Sequence, residues 1–109
     1  MTCHNILLKS ALEQAELIRS KEISARELLE LHVRQYKKYH DQINAVIFTR
    51  LEEARATADQ LDEELRKGTP RGPLHGVTMT VKDSYDLLGT PSTWGMPELR
   101  ANFPDTDSL

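Results

Sequence analysis

Cysteine is almost missing from this sequence: Cys3 is the only one in 109 residues. A single thiol excludes an intramolecular disulfide and any metal site built from several cysteines, and it fits a reducing compartment. Long apolar runs are missing too. Ile6-Leu7-Leu8 is the only such run near the amino terminus, too short for the core of a secretory signal. No later run approaches the roughly 20 residues of a membrane span. There is no excess of positive charge: 14 Lys and Arg face 17 Asp and Glu, for a net charge of -3. The densest basic cluster is Lys37-Lys38 beside Arg34. That balance gives no electrostatic reason for nucleic acid or an anionic membrane to bind. His4, His32 and His40 show no metal-ligand spacing. The expectation from these absences is a soluble, by default cytoplasmic chain with no metal, no nucleic-acid partner and no membrane partner.

What is present suits one small domain: 39% hydrophobic and 28% charged residues, enough for a modest core. Three helix starts carry the capping-box pattern, in which a hydroxyl accepts from the N3 amide and a glutamate reaches back to the cap. They are Ser10 with Glu13, Ser24 with Glu27, and Thr49 with Glu52. Each opens an apolar-periodic stretch. The predicted helices run from about Ala11 to Arg19, Ala25 to Tyr39 and Arg50 to Lys67. Their buried faces are predicted at Leu12, Ala15 or Glu16, and Leu17-Ile18 in the first, and at Leu28, Leu29, Val33 and Tyr36 in the second. Leu51, Ala54, Ala58, Leu61 and Leu65 mark the third. Gly68 after Arg66-Lys67 is a natural stop. The third stripe could also be a coiled-coil seam, although two alanines weaken it.

Two short segments read as strands. Ile43 to Phe48 is β-branched and apolar, the pattern of a buried strand. In Val77 to Asp83, Val77, Met79 and Val81 alternate with Thr78, Thr80 and Lys82, a period of two that places Lys82 at the end of a strand with the threonines on its face. Between them, Gly68 to Gly76 holds three glycines and two prolines in nine residues and is a constrained loop. It is not a phosphate loop, because no Gly-Lys-Ser/Thr follows the glycines. A second loop covers Gly89 to Gly95. The expected fold class is therefore α/β, helices followed by strands of a mixed sheet. It is incomplete, since two strands do not close an α/β layer. Asp105 or Asp107 is placed to cap a further helix for which no residues remain, so a truncated chain is expected.

Several of these pieces together resemble the amidase signature family. Leu17 to Leu28 is similar to that family's opening helix-turn-helix, Ile43 to Val46 to the short strand that follows, and Ala54 to Asp59 to the next helix. The most specific part is Gly72-Pro73-Leu74-His75-Gly76-Val77, then Val81-Lys82-Asp83, then Gly89-Thr90-Pro91-Ser92-Thr93-Trp94-Gly95. The resemblance extends over about residues 10–109 and makes the chain the amino-terminal part of a single domain, with a helical region at about 10–67 and the lysine strand and loops at about 68–109. Thr78 stands where the family commonly has proline; Ser92 and Trp94 stand where threonine and a small residue are usual. Trp94 is expected to pack, or else to alter the wall of a substrate pocket.

The resemblance implies an amide hydrolase with a serine–cis-serine–lysine triad and no metal or cofactor, in which Lys82 matches the catalytic lysine. Both catalytic serines belong to a later glycine- and serine-rich segment. The serines here, Ser10, Ser20, Ser24, Ser84, Ser92 and Ser108, are not set among glycines in that way. Chemically, a lysine serves as base only when neutral, and its ordinary pKa is about 10.4, so burial has to lower it. An amine in open water, away from a strand end, would not meet that demand. Asp83 is expected to have a structural role, either orienting the loop or accepting backbone amides, and His75 to be a turn residue packing on the loop rather than a base. The expected partner of the full-length form is a small-molecule amide. The chain alone is expected to be inactive and able to self-associate. Two further readings stay open: the beginning of the A subunit of a tRNA-dependent amidotransferase, and a non-catalytic interaction fragment.

Overall fold

None of the five glycines and five prolines falls before residue 68, and the helices occupy that uninterrupted part. The computed structural model describes residues 3–108, and the side chains of residues 5–108; those of Cys3 and His4 lie outside the described residues. Helix α1 spans Cys3–Leu7, α2 Ala11–Arg19, α3 Ala25–Ile43 and α4 Leu51–Arg66, with a single 3₁₀ turn at Pro97–Leu99. The chain divides into two compact units, Met1–Thr78 and Met79–Leu109, and the four α-helices belong to the first.

Two of the three predicted capping boxes form. Ser10 Oγ accepts from the Glu13 amide at 3.2 Å while Glu13 accepts from the Ser10 amide at 2.7 Å. Ser24 and Glu27 repeat the exchange at 2.9 and 3.0 Å. The third does not form. Helix α4 starts at Leu51, so Arg50 is its N-cap and Glu53, not Glu52, stands at N3. Arg50 Nε donates to Glu53 Oε2 at 2.8 Å, and two carboxylates in the first turn complement the helix dipole. Asn44, at φ 45°, ends α3 four residues beyond the predicted Tyr39; asparagine tolerates that left-handed cap better than most residues.

Helix α3 lies between two apolar clusters. Ile18, Ile23, Leu28 and Leu31 form one, flanked by Ile6, Leu7, Leu17 and Leu65. Ala25, Leu29, Val33 and Ala58 form the other, flanked by Leu51, Ala54 and Leu61 of α4. The α4 stripe is thus spent on α3 of the same chain rather than on a coiled-coil partner. Tyr36 is half-buried, its ring 4.8 Å from that of His40. Leu12, predicted on the buried face of α2, is 67% exposed; Gln14 is buried instead, donating to the Ile6 and Lys9 carbonyls at 3.0 and 3.2 Å.

A second capping device joins α3 to α4. Asp62 accepts the amide of Ala25 at 2.7 Å through one oxygen and that of Arg26 at 3.1 Å through the other. With Ser24 serving Glu27, the free donors at the start of α3 are satisfied from two directions. Nearby, Arg26 pairs with Glu30 and Asp59, and Arg55 pairs with Glu30 and Glu52. These partly exposed ion pairs fix register more than they stabilise.

The α/β expectation is overturned. Among the described residues there is no strand and no sheet. Ile43 closes α3 instead of opening a strand, and Ile47 and Phe48 are exposed. Val77 to Asp83 is irregular, with Met79 81% exposed. The physical reason is that a strand's amides and carbonyls are satisfied by a neighbouring strand. Alternation in sequence supplies the faces of a strand but not the ladder that holds it extended.

Candidate active site

The Gly/Pro-rich loop is fastened to the helices by His75 and Gly76. His75 is buried. Its Nδ1 accepts from the Arg71 amide at 2.9 Å and its Nε2 lies 2.8 Å from the Leu61 carbonyl. An acceptor at Nδ1 and a carbonyl at Nε2 assign the neutral tautomer with the proton on Nε2. Both nitrogens are occupied, so this imidazole acts as a structural bracket on α4. Gly76 has φ 84°, and a Cβ there would lie 3.0 Å from Ala25 Cβ and 3.0 Å from Ile18 Cδ1. Only glycine combines that backbone with that approach.

The second unit contains Lys82 and the Gly89–Gly95 loop, and a polar knot organises it. Ser92 is 1% exposed. Its amide donates to the Asn102 carbonyl at 2.8 Å, its carbonyl accepts from Asn102 Nδ2 at 2.9 Å, and its hydroxyl donates to the Asp83 carbonyl at 3.2 Å. The Asp83 carboxylate accepts from the Thr93 hydroxyl at 2.6 Å and the Thr93 amide at 3.2 Å. Trp94 (φ 54°) and Gly95 (φ 75°) follow in a turn closed by the Met96 amide on the Thr93 carbonyl at 2.9 Å, the positive-φ pattern of a type I′ turn. Trp94 is 64% exposed, so within this structure it does not pack. Asp107 caps no helix; it accepts the Leu88 amide at 2.7 Å.

Asp83 thereby locks the residue after Lys82 to the second motif loop. The Thr93 hydroxyl, aided by the amides of Thr93, Trp94 and Gly95, holds the Asp83 carboxyl below the ordinary aspartate value. The folded value lies below the unfolded one, about 3.9, so the clamp contributes stability above that pH and loses it as pH falls through the lowered folded value. In an acid titration followed by NMR, the Thr93 amide should move only below about pH 4. Asp83→Asn should flatten that response.

Lys82 itself is exposed and lies outside any strand. Its carbonyl accepts the Tyr85 amide at 3.0 Å, and among the described residues no hydroxyl is hydrogen-bonded to its amine. Among the described residues nothing buries the Lys82 amine. Of the serines, Ser10 and Ser24 are spent on caps, Ser20 donates to the Leu17 carbonyl at 3.2 Å, and Ser92 is locked in the knot. The side chains of Asp62, which caps α3, and Asn102, which holds the Ser92 backbone, carry no sequence signal of their own. A groove of about 400 Å³ in the first unit is lined by Ile6, Ile23, Leu31, Arg26 and Arg34 among others, and by no residue of Gly72–Val77, Val81–Asp83 or Gly89–Gly95. Among the described residues no cluster of His, Cys, Asp or Glu could hold a metal, and no helix is long and apolar enough to cross a membrane.

The family model described as Amidase matches residues 27–109. An amidase of Pseudomonas putida is 39% identical over 83 residues, covering 76% of this chain and 18% of that protein. An indoleacetamide hydrolase of Bradyrhizobium diazoefficiens is 38% identical over 88 residues, covering 81% and 17%. The A subunit of the glutamyl-tRNA(Gln) amidotransferase of Corynebacterium diphtheriae is 36% identical over 85 residues, covering 77% and 17%. The match takes in the constrained loop, the lysine segment and the knot described above, and the chain belongs to the amidase family. It spans about a sixth of the length of these relatives.

Proposed function

We propose that this chain supplies the lysine, Lys82, of an amidase that cleaves carboxamide C–N bonds through an acyl-serine, and that the 109-residue chain is inactive by itself. The observation that carries this reading is the joint spacing of Gly72–Val77, Val81–Asp83 and Gly89–Gly95 within the family match. In the proposed reaction a neutral Lys82 amine takes the proton of a bridging serine, which takes that of the nucleophilic serine. The nucleophile forms the acyl ester as the C–N bond breaks, and the proton passes to the leaving amine. Water then hydrolyses the ester. Both serines belong to sequence beyond this chain, and so does the surface that would bury Lys82. The similarity to amidotransferase A subunits favours a second reading, in which the same chemistry frees ammonia for transfer.

The test is a graft. Residues 1–109 replace the matched segment of the Pseudomonas putida amidase, and hydrolysis of a panel of carboxamides is measured. The 109-residue chain alone should show no turnover, and the graft should regain it. Lys82→Ala in the graft should lower kcat by roughly a hundred- to ten-thousand-fold, the range for losing a general base. Turnover by the chain alone, or a Lys82→Ala graft as active as its parent, would overturn the proposal.

A further inference from the structure

Asp83 is gripped at both of its ends by one short stretch of chain. Its main-chain carbonyl accepts the Ser92 hydroxyl at 3.2 Å. Its carboxylate accepts the Thr93 hydroxyl at 2.6 Å and the Thr93 amide at 3.2 Å through separate oxygens, and the Trp94 and Gly95 amides further favour its ionised form. Ser92 is itself fixed through its amide and carbonyl to Asn102. A carboxylate beside a lysine in sequence is an obvious counter-ion for it, yet among the described residues no ion pair includes Asp83. The charge is spent on neutral donors instead. Lys82 has no comparable hold of its own. Its carbonyl accepts the Tyr85 amide at 3.0 Å, and Val77 to Val81 before it is irregular. A lysine amine is a point charge on a flexible four-carbon stem, so it is aimed only as well as its backbone is held.

We propose that Asp83 is a positioning residue for Lys82: by fastening the peptide after the lysine to the Ser92–Gly95 stretch, it fixes the direction in which the lysine side chain leaves the backbone. The inference rests on the reading of Lys82 as the base and adds to it the group that aims that base. Attachment through both the carbonyl and the carboxylate restrains the rotation of residue 83 as well as its place, which a single hydrogen bond does not. Asp83 passes no proton in this role, because its oxygens are occupied by the hydroxyl and amide of Thr93. Alignment of this kind carries a large share of a rate, since a misplacement of about 1 Å costs roughly a hundred-fold.

The graft on the Pseudomonas putida amidase carries the test, with Lys82→Ala, Asp83→Asn and the two combined. Asp83→Asn should lower kcat by roughly ten- to a hundred-fold. In the Lys82→Ala background the same change should cost no more than about two-fold, because no amine is left to aim and residues acting as a unit are not additive. Thr93→Val, which removes the hydroxyl on the carboxylate, should resemble Asp83→Asn. Thr93→Ser, which keeps that hydroxyl, should retain most of the turnover. Equal losses from Asp83→Asn in the two backgrounds would show that the aspartate serves the fold and not the lysine, and would overturn the inference. So would an Asp83→Asn graft as active as its parent, or a Thr93→Ser graft as impaired as Thr93→Val. A graft whose turnover ignores Lys82→Ala is told apart by that single change: it overturns the hydrolase reading, and this inference with it.

Discussion

Gly76→Ala should lower the stability of the first unit by about 2–4 kcal/mol, from a left-handed backbone that disfavours any Cβ and from overpacking at the contact. The new methyl would stand 3.0 Å from Ala25 Cβ and 3.0 Å from Ile18 Cδ1. Ala25 and Ile18 are 1% and 0% exposed, so neither has room to yield. Ala25 Cβ is also one bond from a backbone whose amide is held by Asp62. Urea unfolding followed by far-UV circular dichroism measures the change. Gly72→Ala is the control, because a Cβ there meets nothing within 4 Å and the position carries no positive φ; it should stay within about 0.5 kcal/mol. A Gly76→Ala protein as stable as that control would mean the loop does not dock on α2 and α3 as described.

Leu28→Ala should cost about 2–5 kcal/mol, the range for truncating a fully buried leucine. Leu28 is 0% exposed and sits in the cluster with Ile18, Ile23 and Leu31. Leu12→Ala should cost no more than about 0.5 kcal/mol, because Leu12 is 67% exposed. The same denaturation experiment compares the two. Equal costs would contradict this division between core and surface. For a small unit whose whole stability is only a few kcal/mol, Leu28→Ala should leave a large unfolded fraction at room temperature.

That contrast also marks how far the sequence could be read. Ser10–Glu13 and Ser24–Glu27 were legible because a capping box is closed by residues three apart. The faces of α3 and α4 were legible because Leu29 and Val33 recur against Ala54, Ala58 and Leu61 at helical spacing. Leu12 was misplaced because apolar spacing names a face without saying whether anything covers it. Thr49 failed as a cap because Arg50–Glu53 pairing and a one-residue shift moved the helix start. The two strands failed for the deeper reason that sheet formation is non-local. Val77, Met79 and Val81 alternate correctly, yet no neighbouring strand exists among the described residues to accept their backbone. At the site, the lysine and its flanking loops were legible as motifs. Asn102 and Asp62 were not, because each acts on residues far away in sequence.

The reach of Asp62 across 37 positions to the Ala25 amide has a consequence for how the chain is assembled. While a ribosome extends the polypeptide, Ser24 and Glu27 can close their box as soon as both have emerged. The two leading donors of the long helix must then stay hydrated until most of α4 has been made. Order at that end of the helix arrives late, with the docking of the two helices rather than with the winding of either.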